Sequence, residues 1–559
     1  MRTAACLGSR LSVAVLLSTL VSCQAGTRLL DNENPPPTPP DLAPPAPLCE
    51  KGKIRCAANR DATEICDGDS WQRQTPCDTK GGAQCVDGVC KSACDLVTRG
   101  NVGCSFYPIN LWSTSTVGKL GIVVTNTSDT LTADVKLEDA NGQQYALDVK
   151  PQTSQIPPGG VGIFRLDHGT NKLNETEQSK KGFHLSSTTP VAVYQFHPID
   201  AATVFSGSAT LLLPEHVMAK KYFVMSYTYN AALITSPPQG QGSLTVVGLT
   251  DNTQVTITVP VATQNGPGVP ALKAGGTLKR TLNRLEALEI IQVNSLDDIT
   301  GATVEATAPV VVYGGAGGVS IPSSAIGGNH LGVQMFPLET WGKRYLAAKV
   351  KQRNATDKDY FRIVASVDNT TFKLTGNGGL PMTLPKLMRG QFFEFSTASD
   401  FLIEADQPVM AFQFMPAWGN LTGTFNPADF PDGAPDNCTQ FAGTSQDVKC
   451  LGDANITPLI PVEQFRSDYI FYVPATYKYQ YVNVLAPIDA TISLDGKQVT
   501  DAIKPITADY GRFIVRITAT GSHRITGNKP FGIIGYGYAS FTSYSYAGGL
   551  NLDRINPVE

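Results

Sequence analysis

Pro309-Val-Val-Val-Tyr313 is one of four copies of a single closing strand, and its recurrence decides the fold. The others are Pro190-Val-Ala-Val-Tyr194, Pro408-Val-Met-Ala-Phe412 and Pro530-Phe-Gly-Ile-Ile534, the last with its aromatic displaced to Tyr536. Proline cannot donate to a sheet ladder, so at the head of an apolar run it reads as the first residue of a strand. A second tag runs in phase with this one. It is a proline, seven residues and a tyrosine: Pro214 to Tyr222, Pro337 to Tyr345 and Pro461 to Tyr469, the prolines stepping by 123 and 124 residues. A third tag is Asp251-Asn-Thr253, then Asp368-Asn-Thr370, then Asp489-Ala-Thr491. A fainter copy precedes the first. Repetition at a fixed period marks an arrayed architecture, and arrays of β-units generally present surfaces.

The runs between the tags alternate apolar and polar residues. Leu244–Val247 and Val255–Val259 flank the first Asp-Asn-Thr turn and read as a hairpin with one wet face. Phe361–Val364 with Phe372–Leu374, and Val482–Leu485 with Ile492–Leu494, repeat it around Asp368 and Asp489. The first copy offers Ile122–Asn126 and Val135–Leu137, and Leu288–Val293, Phe392–Phe395 and Phe513–Ile517 recur before the closing strands. No stretch has a sustained helical period. The expected fold is all-β, in tandem repeats of about 120 residues. Seven strands in about 100 residues suit a β-sandwich unit; a propeller-like array, each repeat split into two blades, is the alternative. The expected divisions are residues 1–22 (lipoprotein signal peptide), 23–48 (lipidated start and proline-rich linker), 49–94 (cysteine-rich module), and repeats at 95–213, 214–336, 337–460 and 461–559.

Arg2 and Arg10 precede the apolar run Leu11–Leu20, which is too short to span a bilayer and has the layout of a secretory signal. It ends in Leu20-Val-Ser-Cys23, which resembles a bacterial lipobox, and makes Cys23 the expected lipidation site. Gln24 in the sorting position favours the outer membrane or cell surface. Asp31–Pro47 holds eight prolines in seventeen residues, a composition that favours extended polyproline II and reads as a stalk.

Ten cysteines remain once Cys6 and Cys23 are set aside, an even set of the kind an oxidising compartment requires. Cys49, Cys56, Cys66, Cys77, Cys85 and Cys90 crowd a polar segment too small to bury a sufficient core, so three disulfides are expected there. Fifteen pairings stay open. Zinc is disfavoured by the lack of any Cys-x-x-Cys pair and of any histidine before His168. Trp71 reads as a cap on this miniature core. Cys94 and Cys104 bracket nine residues and should close locally.

Charged residues are 16% and net charge is −4, which gives no electrostatic reason to expect a nucleic-acid partner. There is no nucleophile elbow and no His-Glu-x-x-His, so no catalytic residue and no cofactor are assigned. Gly314-Gly-Ala-Gly-Gly318 reads as a flexible loop after a buried strand, since the lysine and helix of a phosphate cradle are missing. The six histidines are scattered singly. One segment stands apart. Phe414 to Pro461 is about twice as long as its counterparts, and loops this long are functional or disordered. Cys438 and Cys450 should pin it. Asp429, Asp432 and Asp436 within it are the only calcium candidates, without EF-hand spacing, and no metal is assigned.

Gly103-Cys-Ser-Phe-Tyr107, the Pro-Val-x-Val-Tyr strands and the starts Leu213-Pro214 and Phe336-Pro337 resemble the IgGFc-binding protein N-terminal domain. The similarity runs from about Cys104 to Pro557. The resemblance implies extracellular binding or adhesion by a bacterial surface lipoprotein, with no known active site. The expected partners are therefore the membrane, through the lipid, and an unidentified extracellular protein or glycan. A polysaccharide or protein hydrolase hidden on the β scaffold is the alternative.

Overall fold

The structure is a computed structural model that describes residues 49–115, 117–200, 206–228, 240–294, 296–325, 327–421, 429–431 and 451–556. Among the described residues the chain falls into two compact bodies, one of 49–53 with Cys66–Trp71, the other of Ile54–Ile65 with 72–556. In the smaller body Cys49 is bonded to Cys66. In the larger one Cys56 pairs with Cys85, Cys77 with Cys90 and Cys94 with Cys104. All four repeats lie in the larger body.

Three of the four closing prolines do not stand at the head of a strand. Pro190, Pro309 and Pro530 lie inside the long strands Phe183–Phe196, Thr303–Val319 and Gly521–Ala539. Pro408 separates Phe401–Ala405 from Val409–Met415. Each proline is a joint between two sheets. In the second repeat Thr303–Ala306, before the joint, pairs with Thr253–Thr258, and Val310–Gly318, after it, pairs with Gly240–Gly248. The two strands beside the Asp-Asn-Thr turn therefore do not form the expected hairpin. They run end to end along one closing strand, and the turn is an excursion opposite the proline. A residue without an N–H breaks the ladder on one side, and the turn breaks it on the other. Asn252 and Asn369 take φ of 60° and 61° there, a left-handed conformation that asparagine tolerates well.

The tag tyrosine belongs to the same joint. The Tyr222 hydroxyl accepts from Ala219 N at 2.9 Å and donates to the Val310 carbonyl at 2.9 Å. Tyr345 does the same between Gly342 N (3.2 Å) and Val409 O (2.6 Å), and Tyr469 between Arg466 N and Phe531 O. In each case the acceptor is the residue directly after the proline. Where the ladder is interrupted, a buried hydroxyl supplies the missing partners. By strand register the first repeat has Phe106 in this place, with Cys104 of the Cys94–Cys104 disulfide two residues before it.

After each joint the closing strand lies second in an antiparallel run of four or five strands. The innermost strands are Ala209–Leu212, Asn329–Gln334, Asn455–Pro458 and Thr542–Ala547, and they touch one another in a cycle, the fourth meeting the first. They are wholly buried yet rich in polar residues, so no repeat could satisfy its own alone. Gln334 Oε1 accepts from Leu213 N at 2.9 Å, Asn329 donates to the Ala454 carbonyl at 2.6 Å, and the Ser545 hydroxyl to Asn455 Oδ1 at 2.7 Å. The packing thus follows the propeller-like alternative, with one blade per repeat rather than two. Across its joint each blade is continuous with a second group of strands, within one eight-stranded sheet in the first, second and fourth repeats and as a separate three-stranded sheet in the third.

The aromatic that ends each closing strand latches its repeat to the preceding one. Tyr313 donates to the Tyr107 carbonyl at 2.8 Å, Lys351 N donates to the Tyr536 hydroxyl at 2.8 Å, and Tyr194 closes the circle on the Ile470 carbonyl at 2.8 Å. Phe412 has no hydroxyl, and there Arg362 reaches back to the Ser226 carbonyl and Asp298, both at 2.8 Å. The glycine run 314–318 is not a loop. It is buried strand, and at Gly317 a Cβ would lie 2.4 Å from Trp112 Nε1, so the missing side chain admits a tryptophan of the first repeat.

Candidate functional site

Both ends of the long third-repeat loop are bonded to the core. The chain leaves the closing strand at Met415, and Ala417 N donates to the Ile321 carbonyl at 2.7 Å. It returns at Leu451, where Gly452 N donates to the Ala539 carbonyl at 3.0 Å, and enters the inner strand at Asn455. Arg353, fully buried, holds both ends. Its Nη1 donates to the Leu451 carbonyl at 2.9 Å and its Nη2 to the Pro416 carbonyl at 3.2 Å. The guanidinium is itself fixed by Asp357, with Nε–Oδ2 at 3.0 Å and Nη2–Oδ1 at 3.1 Å, and lies 5.4 Å from the centre of the Tyr538 ring.

Lys349 completes a buried cluster, 2.8 Å from Asp359 and 3.4 Å from Asp357. Two cations and two carboxylates balance, which a dry site requires. Burial pushes the Asp357 carboxyl up, but the charges of Arg353 and Lys349 outweigh it and hold the group well below the usual carboxylate range. Asp359 is raised instead, by burial and by the charge of Asp357. Asp453, just past the return point, accepts from Ala454 N at 2.7 Å and Trp418 N at 3.4 Å, and burial raises it to about 7.

Asp429–Pro431, the described middle of the loop, lies against a tyrosine wall of the fourth repeat. Phe430 is buried, with ring centres 5.0 Å from Tyr479 and 6.4 Å from Tyr538, edge to face. Beside it Asp429 meets Lys351 Nζ at 2.6 Å, both partly exposed. Asp429, one of the three calcium candidates, is therefore a partner of a lysine. Asp432 and Asp436 lie outside the described residues, as do Cys438, Cys450 and Cys23. Among the described residues, no group of three or more His, Cys, Asp or Glu side chains is placed to hold a metal.

Spacing paired none of the histidines, but the fold brings His197 and His330 together, their Nδ1 atoms 3.3 Å apart. Ser208 lies 2.7 Å from His330 Nδ1, and Asn110 Oδ1 lies 2.8 Å from His197 Nε2. Burial drives His330 down to about 3 and His197 well below its ordinary value, the latter also through the charge of His330. Glu289, raised to about 8 by burial, is enclosed against Thr245. All of these groups are buried. The clamp of Lys349, Arg353, Asp357 and Asp359 escaped the reading of the sequence. Its trace is the density of charge in Lys349–Asp359 directly after the apolar Tyr345–Ala348.

The family model described as IgGFc binding protein matches residues 208–537. No curated protein matches the chain. The matched span begins at the first inner strand and covers the second and third repeats and most of the fourth, which are the repeats carrying the tyrosine joint. It takes in well over half of the sequence, and the chain belongs to the IgGFc-binding protein family.

Proposed function

We propose that this chain is a surface-anchored binding protein whose contacts are made by the third-repeat loop and the ring end that carries it. One observation carries the reading: a single buried guanidinium ties the two ends of the loop to the core. A connection of this length costs ordering entropy, and a closed, balanced ionic root with an aromatic seat for Phe430 lowers what binding must still pay. The family's description supports a protein ligand. A glycan ligand fits the same scaffold. Membrane attachment through Cys23, with residues 31–47 as stalk, is supported by the layout of the sequence, and with it an adhesive role at an outer surface.

The test is a screen of the purified chain against arrayed glycans and extracellular proteins, immunoglobulin Fc included. Saturable capture of a component without turnover supports the reading. Release of cleaved glycan or peptide would replace it with the hydrolase.

A further inference from the structure

Two inter-repeat grooves occupy equivalent places in the ring, and their difference points to a ligand. Each lies between the first strand of one repeat and the joint of the next. The smaller, about 260 Å³, sits where Arg466, Asp468 and Tyr469 of the fourth repeat face Thr127 of the first. There Arg524 is quenched from both sides, by Asp468 at 2.6 Å and by Asp129 at 3.0 Å. The larger, about 600 Å³, lies between Lys221 of the second repeat and the Pro408 joint of the third. Lys221 stands directly before the tag tyrosine, where the fourth repeat has Asp468, so the acid of one groove is a cation in the other. Lys343 and Arg389 complete the wall. Lys343 Nζ donates to the Asp406 carbonyl at 2.7 Å. Arg389, 4.9 Å over the Phe223 ring, faces Glu305 at 3.6 Å, with both side chains about half exposed.

We propose that this larger groove is a binding site for an acidic sugar, a glycan end bearing a carboxylate or a sulfate. Arginine matches either anion with a planar fork, and lysines add charge without demanding geometry. The volume falls in the range of small-molecule sites. Val367 and Ile555, 42% and 39% exposed, give apolar surface for the C–H face of a sugar ring, and Gln407 and Asn556 give amides for its hydroxyls. An extended peptide is disfavoured, because of the lining residues only Lys221 belongs to a strand. Turns wall the groove and offer no sheet edge for a peptide to join. This site is separate from the third-repeat loop, and either can fail without the other.

Titration calorimetry of the purified chain with sialyllactose, sulfated lactose, lactose and hexaglutamate tests it. At least one acidic sugar should bind, weakening with salt, and lactose should not. The double substitution Lys343→Gln, Arg389→Gln should weaken binding roughly 10- to 100-fold without moving the thermal transition, and Val367→Glu should weaken it independently by repulsion. Arg99→Gln, in the smaller groove, should change nothing. Failure of both acidic sugars to bind would overturn the proposal. Full binding by the double variant, or tighter binding of hexaglutamate than of either sugar, would overturn it equally.

Discussion

Replacing Arg353 with methionine should cost about 5 kcal/mol, because it leaves a buried carboxylate and two buried carbonyls short of their donors. The structure fixes what is lost: both side-chain bonds to Asp357 and the bonds to the Leu451 and Pro416 carbonyls. Breaking a buried pair from one side costs about 3–5 kcal/mol. Each orphaned carbonyl adds about 1 kcal/mol or more, partly recovered as the loop ends relax toward water. Asp357 would keep Lys349, at 3.4 Å, as its remaining cation. Removing the charge on both sides, as Arg353→Met with Asp357→Leu, should be less damaging than the sum of the two single changes by about 1.5 kcal/mol or more. Lys349 and Asp359 remain as a balanced pair, 2.8 Å apart. Denaturant unfolding of the four proteins gives the coupling. Hydrogen exchange at Leu421 and at Leu451–Asp453 shows whether the loss begins at the loop root. Additive costs within about 0.5 kcal/mol, or unchanged exchange there, would refute the clamp.

Changing Tyr222, Tyr345 or Tyr469 to phenylalanine should each cost about 1–3 kcal/mol, read as a fall in the denaturant midpoint at constant slope. A loss under about 0.5 kcal/mol at all three would show that the joint does not need the hydroxyl. His330 titrates at about 3 in the fold against an ordinary 6.5, so the unfolded chain binds more protons between those values. Its contribution is complete above about 6.5 and is lost as pH falls toward 3, and His330→Asn should flatten that loss in thermal melts. Glu289 has the opposite sign. It is raised to about 8 from 4.5, so stability falls as pH rises through that window, and Glu289→Gln should reduce that slope, leaving the part that Asp453 contributes. Cys23→Ser should leave the chain at precursor size or release it from membranes; unchanged partitioning would remove the lipid anchor from the account.

Much of the β layout was legible because strands write their period locally. The turn at Asp251, the strands around it and the array itself follow from alternation and spacing. The joint was not, since a proline before an apolar run looks the same at the head of a strand and at a break within one. Only pairing partners separate the two cases, and Ala306 and Val310 on either side of Pro309 differ in those partners alone. The blade arrangement was hidden for a related reason. The burial of Asn329 and Asn455 makes sense only when four repeats face one axis. The length of the third-repeat loop was plain. Its clamp was not, because Arg353 meets Pro416 and Leu451 across 63 and 98 residues.

The third-repeat loop is the proposed contact surface of a binding protein. The most direct measurement is parallel array capture by the native chain and by a version in which a Gly-Ser linker replaces residues 432–448, with thermal transitions recorded for both. A partner held by the native chain and lost by the replacement, at an unchanged transition, is the predicted result. Equal capture by the two proteins would contradict it.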